Sequence, residues 1–216
     1  NNDDGGWDET SLFNLIDQRG KGSDLAKHML DIKAGEKEEF LLCTDMQTEP
    51  ADFIWVTNKK IVFIHIKGKG NDPKKVKKSY VSASQISEVC NQGIKNAHHL
   101  SIFDNTVPKN HNSWKNDWKL KKDSDYNVKR IRSIVPDSVD ENDGRSMWDY
   151  IAKKKMDESI SKEVWLVMGY TFDKQKFLDV ISSNKPSAVS EQAALTLEGT
   201  MANIRSLGVK FKVFCS

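Results

Sequence analysis

The stretch Ala51 to Gly68, "ADFIWVTNKKIVFIHIKG", holds two apolar runs of strand length with only "TNKK" between them. Short runs rich in Ile, Val, Phe and Trp suit strands buried on both faces, and so short a connection joins neighbours antiparallel. A third such run, "EEFLLCTD" from Glu38 to Asp45, lies just before them. Strands without a polar face must be covered on both sides, so the rest of the chain has to supply layers above and below a sheet.

The remaining pattern supplies them. Leu12, Leu15 and Ile16, then Leu25, Met29 and Ile32, recur at helical intervals and predict one or two short N-terminal helices, with Ser23 as a candidate cap and Gly35 as a stop. Ile86, Val89, Ile94 and Ala97 give a helix after the third strand, locally weakened by Gly93. A helix at "SMWDYIAKKKMDESI", a strand at Glu163 to Tyr170, a helix at "KQKFLDVIS", a long helix from about Ala188 to Leu207 and a closing strand "VKFKVFCS" follow. Helix, three strands, helix, strand, helix, strand predicts an α/β fold, a three-layer sandwich with a central mixed sheet flanked by helices. The length of 216 residues suits one domain, 1–216, with a basic, tryptophan-containing insertion at about 104–145.

Charged residues make up 30% of the chain, and no apolar run approaches the about 20 residues of a spanning helix, which argues against a membrane protein. Cys43, Cys90 and Cys215 form no CxxC and sit in apolar settings, as reduced core thiols of a cytoplasmic protein would. The start "NNDDGGWDET" reads as a domain cut from a longer polypeptide, or as a processed terminus.

Two ionisable groups end the third strand. His65 and Lys67 share a face with Ile61 and Phe63, and burying them without partners costs several kcal/mol, so the strand end either opens to solvent or uses them. In an antiparallel pair the start of one strand lies beside the end of its neighbour, which brings Asp52 to the same sheet edge, with Glu49 in reach. Gln85, Glu88, Gln92 and Lys95 form a polar stripe on the next helix, opposite the apolar one. An acid, a second ligand, a lysine and a glutamine suit metal-assisted phosphodiester hydrolysis. Each also has a plainer reading: His65 as a hydrogen-bonded structural residue, Glu49 as a solvated turn carboxylate, Gln92 as a cap on a strand edge.

The ordered set, "EPADFIWV", "KKIVFIHIK" and "SASQISEVCNQGIKN" with "EVWLVMG" and "SLGVKFKVFCS", resembles the PD-(D/E)XK nuclease superfamily of restriction-endonuclease-like fold. More narrowly it is similar to a domain at the C-terminal end of bacterial superfamily 2 helicases and related defence proteins. The resemblance spans roughly 40–96 and 163–216. It implies a Mg²⁺- or Mn²⁺-dependent nuclease acting on nucleic acid, most simply DNA, with a helicase motor in the same or a partner chain. It gives Asp52 the metal-binding aspartate role, Lys67 that of catalytic lysine and Gln92 that of the helix glutamine. His65 stands where the family has Glu or Asp; as a softer, uncharged ligand it would shift preference toward Mn²⁺, and Glu49 would supply the missing carboxylate.

Cations cluster around this set. The segment 67–78 holds six lysines against one aspartate, and 109–132 holds eight basic residues against three acidic ones with Trp114, Trp118 and Tyr126 between them. Such clusters attract phosphate backbones, and aromatics stack on unpaired bases, although lysine runs are usually solvated surface and the tryptophans also suit a local core. The expected contacts are Lys69, Lys74, Lys75, Lys77, Lys78, Lys95, Lys119, Lys121, Lys122, Arg130 and Arg132. His98, His99 and His111 are not expected to bind zinc, because adjacent histidines point apart on a helix. Two rivals to the nuclease are a catalytically silent DNA-binding module that positions a helicase, and a protein-interaction domain of a defence complex.

Overall fold

A computed structural model describes residues 7, 11–18, 32–45, 48–68, 81–119, 127–132, 136–169 and 172–215. The second N-terminal helix, with its cap at Ser23, falls outside them. The three apolar runs form β1 (Glu38–Cys43), β2 (Phe53–Thr57) and β3 (Lys60–Ile66), and the last two make the expected antiparallel hairpin, Phe53 opposite Ile64 and Val56 opposite Ile61. β6 (Ser161–Gly169) then lies parallel to β3, and β7 (Lys210–Cys215) parallel to β6, giving a five-stranded mixed sheet in the order β1-β2-β3-β6-β7.

Parallel neighbours cannot be joined by a tight turn, and the helices fill the two crossovers. Between β3 and β6 run α2 (Ala83–Ala97), 3₁₀ turns at His98–Leu100 and His111–Ser113, a small hairpin of β4 (Trp118–Lys119) and β5 (Asn127–Val128), and α3 (Gly144–Lys154). Between β6 and β7 lie α4 (Lys174–Ile181) and α5 (Ala188–Ser206). α1 (Leu12–Asp17) opens the described fold, its first turn capped by Ser11 Oγ, which accepts the Asn14 N–H at 3.0 Å.

Strand alternation divides the core. Ile54, Val56, Ile61, Phe63, Val164 and Leu166 face a layer made by α2, α3 and α5, while Phe53, Trp55, Val62, Ile64 and Trp165 face α1, Trp7 and Val128. Gly93 serves this packing: a Cβ there would stand 3.3 Å from Leu166 Cδ2 and 3.5 Å from Val164 Cγ1, so its absence lets α2 lie close on β6. The cost in helix propensity that the sequence shows is offset by that approach.

The expected insertion is partly built into the sheet. Ile131 bridges Leu42 antiparallel, Cys43 N–H donates to Arg130 C=O at 2.8 Å and Arg132 N–H to Leu41 C=O at 2.9 Å, so residues 130–132 cover the free edge of β1. Trp114 is fully buried, edge-on to Trp148 at 6.3 Å. Cys43, Cys90 and Cys215 are free thiols, the first two buried. Among the described residues no helix is long and apolar enough to cross a membrane.

Candidate metal and phosphate site

The turn between β1 and β2 brings three carboxylates together. Asp45, Glu49 and Asp52 each offer an oxygen, and these atoms lie within 4.8 Å of one another. The turn is pinned at several points. Thr44 N–H donates to Asp52 C=O at 2.9 Å, Thr44 Oγ1 to Ala51 C=O at 2.5 Å, and Asn110 Nδ2 to Thr44 C=O at 2.8 Å. Asn96, near the end of α2, donates from Nδ2 to Glu49 C=O at 3.2 Å. Trp118 Nε1 holds Asp45 Oδ2 at 2.8 Å, and Arg130 Nη1 reaches the carbonyls of Cys43 at 3.0 Å and Asp45 at 3.2 Å.

Asp52 joins this turn to the end of β3, its Oδ2 accepting the Ile66 N–H at 2.6 Å. Burial, opposed by that bond and reinforced by the neighbouring Asp45 and Glu49, pushes its carboxyl up to about 8. Three carboxylates this close repel one another, and the arrangement favours either a proton or a cation among them. All-oxygen donors suit a hard divalent ion such as Mg²⁺ or Mn²⁺.

Lys67 follows at the strand end. Its N–H donates to Val167 C=O at 2.9 Å, and its Nζ meets Glu88 Oε1 of α2 at 2.5 Å. Gln92 sits half-buried one turn beyond Glu88 on α2, and Gln85 Oε1, one turn before, is buried without a hydrogen-bond partner. Of the polar stripe read from the sequence, Glu88 is the residue in contact with Lys67.

His65 stands apart from the carboxylate set. It is 2% exposed, its Nε2 has no hydrogen-bond partner, and burial pushes its ring down to about 4, so it is a neutral, enclosed imidazole. The carboxylate that the sequence reading did not single out is Asp45. Its signal was available: strand ends flanking a short turn converge, and Asp45 closes the run that Asp52 reopens.

The expected phosphate contacts divide. Lys95 and Lys119 are exposed. Lys69, Lys74, Lys75, Lys77, Lys78, Lys121 and Lys122 lie outside the described residues, as does Tyr126. Arg130 is 5% exposed and donates from Nη1 to the backbone carbonyls of Cys43 and Asp45, and Arg132 pairs with buried Asp17 at 2.8 Å. Both arginines thus brace the β1 edge, and the burial of Arg130 there sets it apart from the exposed lysines.

The two adjacent histidines also depart from expectation. His98 and His99 lie in the 3₁₀ turn past α2, with ring centroids 4.0 Å apart, and both turn toward Asp104. Compared with protein-family models, curated proteins and solved structures, the chain matches none.

Proposed function

We propose that this chain is a restriction-endonuclease-like nuclease domain that binds DNA and hydrolyses its phosphodiester backbone with Mg²⁺ or Mn²⁺. The observation that carries the reading is the convergence of Asp45, Glu49 and Asp52 beside Lys67 at the end of the β2–β3 hairpin. In this reading the three carboxylates hold the ion, and Asp45 and Glu49 fill the place that the resemblance gives to His65. A bound divalent ion supplies Lewis acidity toward the phosphate and acidifies a coordinated water. Lys67 offsets the charge that grows on the phosphate oxygens, while Glu88 orients its ammonium, and Gln92 keeps the role that the resemblance gives it. Exposed Lys95 and Lys119 meet the backbone. A helicase motor in the same or a partner chain, and a role in defence, belong to this proposal through the resemblance alone.

The raised carboxyl of half-buried Asp52 favours a second reading, a silent DNA-binding module, because a carboxyl pushed up to about 8 keeps its proton near neutral pH unless a cation displaces it. One experiment separates the two. Supercoiled plasmid and a single-stranded oligonucleotide are incubated with wild type, Asp45→Asn and Lys67→Ala in Mg²⁺, Mn²⁺ or EDTA, with folding followed by circular dichroism. The nuclease reading expects metal-dependent cutting that falls on the order of 100-fold or more in either folded variant. Salt-sensitive binding without cutting in every metal supports the silent module.

A further inference from the structure

At the far end of α2 the chain assembles a different donor set. His98 Nε2 lies 3.6 Å and His99 Nδ1 3.2 Å from Asp104 Oδ2, and the donor atoms of the three residues all fall within 4.8 Å of one another. Four ligands at bond lengths of about 2.0–2.1 Å stand about 3.3 Å apart around a tetrahedral zinc ion, close to the two separations seen here.

The surroundings orient each donor. His98 Nδ1 donates to Lys95 C=O at 2.7 Å, which leaves Nε2 as the ring nitrogen turned to Asp104. Asp104 Oδ1 accepts the Thr106 N–H at 2.8 Å, presenting Oδ2 to the histidines. His99 is 8% exposed and is fixed by the edge of Trp148 at 5.4 Å.

His99 Nδ1 and Asp104 Oδ2 are both buried and face one another at 3.2 Å, with His98 Nε2 at 3.6 Å from the same oxygen. An imidazole nitrogen and a carboxylate oxygen held facing one another in this way are donors that a shared cation would satisfy. The C-terminus of a 15-residue helix adds its negative partial charge at the same place. The opposing charge is that of Lys155, whose ammonium is engaged by the carbonyls of His99 and Asp104 and so closes the turn that brings the two donors together.

We propose that His98, His99 and Asp104 form a zinc-binding site at the C-terminal end of α2, separate from the carboxylate cluster. Two imidazoles and one carboxylate select a borderline transition ion over Mg²⁺. His98 is half exposed, which leaves the fourth position open to water or to a donor from a partner. A metal there would tie the helix that carries Glu88 and Gln92 to the 101–104 turn.

The test uses the 216-residue chain, stripped with chelator and titrated with Zn²⁺ by calorimetry, with Co²⁺ as a spectroscopic probe. Wild type is compared with His98→Ala, Asp104→Asn and Asp45→Asn, each checked for folding in EDTA. The expected result is one Zn²⁺ site lost or weakened at least about 100-fold in His98→Ala, more than removal of an outer-shell partner costs, and retained in Asp45→Asn. Co²⁺ should give the intense visible bands of four-coordination in wild type and lose them in His98→Ala. Because His98 is exposed, that variant keeps the test sound even if Asp104→Asn unfolds. Equal Zn²⁺ binding by wild type and His98→Ala, or none by wild type, would overturn the proposal and leave a plain imidazole–carboxylate pair. Neither outcome touches the nuclease reading, whose assay depends on Asp45 and Lys67.

Discussion

The carboxylate of Asp52 accepts the backbone N–H of Ile66 at 2.6 Å, and this bond ties the turn before β2 to the last residue of β3. One residue further lies Lys67, so a single hydrogen bond sets the distance between the acid and the lysine on which the nuclease reading depends. It also holds a half-buried carboxyl whose two near neighbours, Asp45 and Glu49, are acids.

That burial has a signed consequence. Asp52 is raised from 3.8 to about 8, so between about pH 4 and 8 the unfolded chain has lost a proton that the folded chain keeps. Stability contributed by the protonated form is complete below the unfolded value and falls as pH rises through the folded one. Asp52→Asn keeps an acceptor for Ile66 and removes the titration. In EDTA it should therefore melt higher than wild type at pH 8, with the difference vanishing near pH 4. A variant less stable than wild type at pH 8 would show that the carboxylate is satisfied ionised.

His65 titrates in the opposite sense. Its ring is lowered from 6.5 to about 4 by burial, so stability is present above the unfolded value and lost as pH falls through the folded one. At 1.36 kcal/mol per unit the loss is about 3 kcal/mol across that window. Urea denaturation in EDTA from pH 7 to pH 4 should show wild type losing this amount relative to His65→Phe. Parallel curves for the two proteins would mean that the imidazole has a partner that welcomes its charge.

Much of the fold was legible in the sequence because its strands are short, apolar and bounded by turn residues. Glu38–Cys43, Phe53–Thr57 and Lys60–Ile66 fall inside the three runs read as strands, and α5 ends one residue before the expected Leu207. The site was half legible. Asp52 and Lys67 are brought together by local hairpin geometry, which spacing reveals. Asp45 is held by Trp118 and Arg130, more than 70 residues away in sequence, and no local pattern announces such contacts. For the same reason Arg130 read as one more cation in a basic segment. The divergence expected of His98 and His99 fails because the helix ends at Ala97 and the pair lies in a tighter turn.

The reassignment of Arg130 is open to a direct check. Arg130→Met leaves the carbonyls of Cys43 and Asp45 without their donor inside the protein, at a cost of about 2–4 kcal/mol. In nucleic-acid titrations against salt, done at temperatures where the variant is folded, its slope should match that of wild type. Lys95→Gln, on the exposed face of α2, should instead lower the slope by about one. A reduced slope in Arg130→Met would return the residue to the phosphate-binding set.

A last prediction concerns the other end of the β2–β3 hairpin, where Lys60 and Glu36 are both nearly buried and pair at 3.0 Å. Thr57 Oγ1 donates to the same carboxylate at 2.7 Å, and the Lys60 ammonium lies 4.2 Å from the Trp55 ring centre. Burial works to raise Glu36, but Thr57 and Lys60 outweigh it and hold the carboxyl below its usual 4.5. The contribution of this pair is therefore present at neutral pH and fades only as the pH falls below that value. Breaking the pair differs from replacing it. Glu36→Leu strands a buried ammonium and should cost about 3–5 kcal/mol in urea denaturation, whereas Glu36→Leu with Lys60→Met exchanges two desolvated charges for apolar contact and should recover most of the loss. A double variant as unstable as the single one would show that the ion pair itself, rather than relief of an unpaired charge, holds this corner of the sheet.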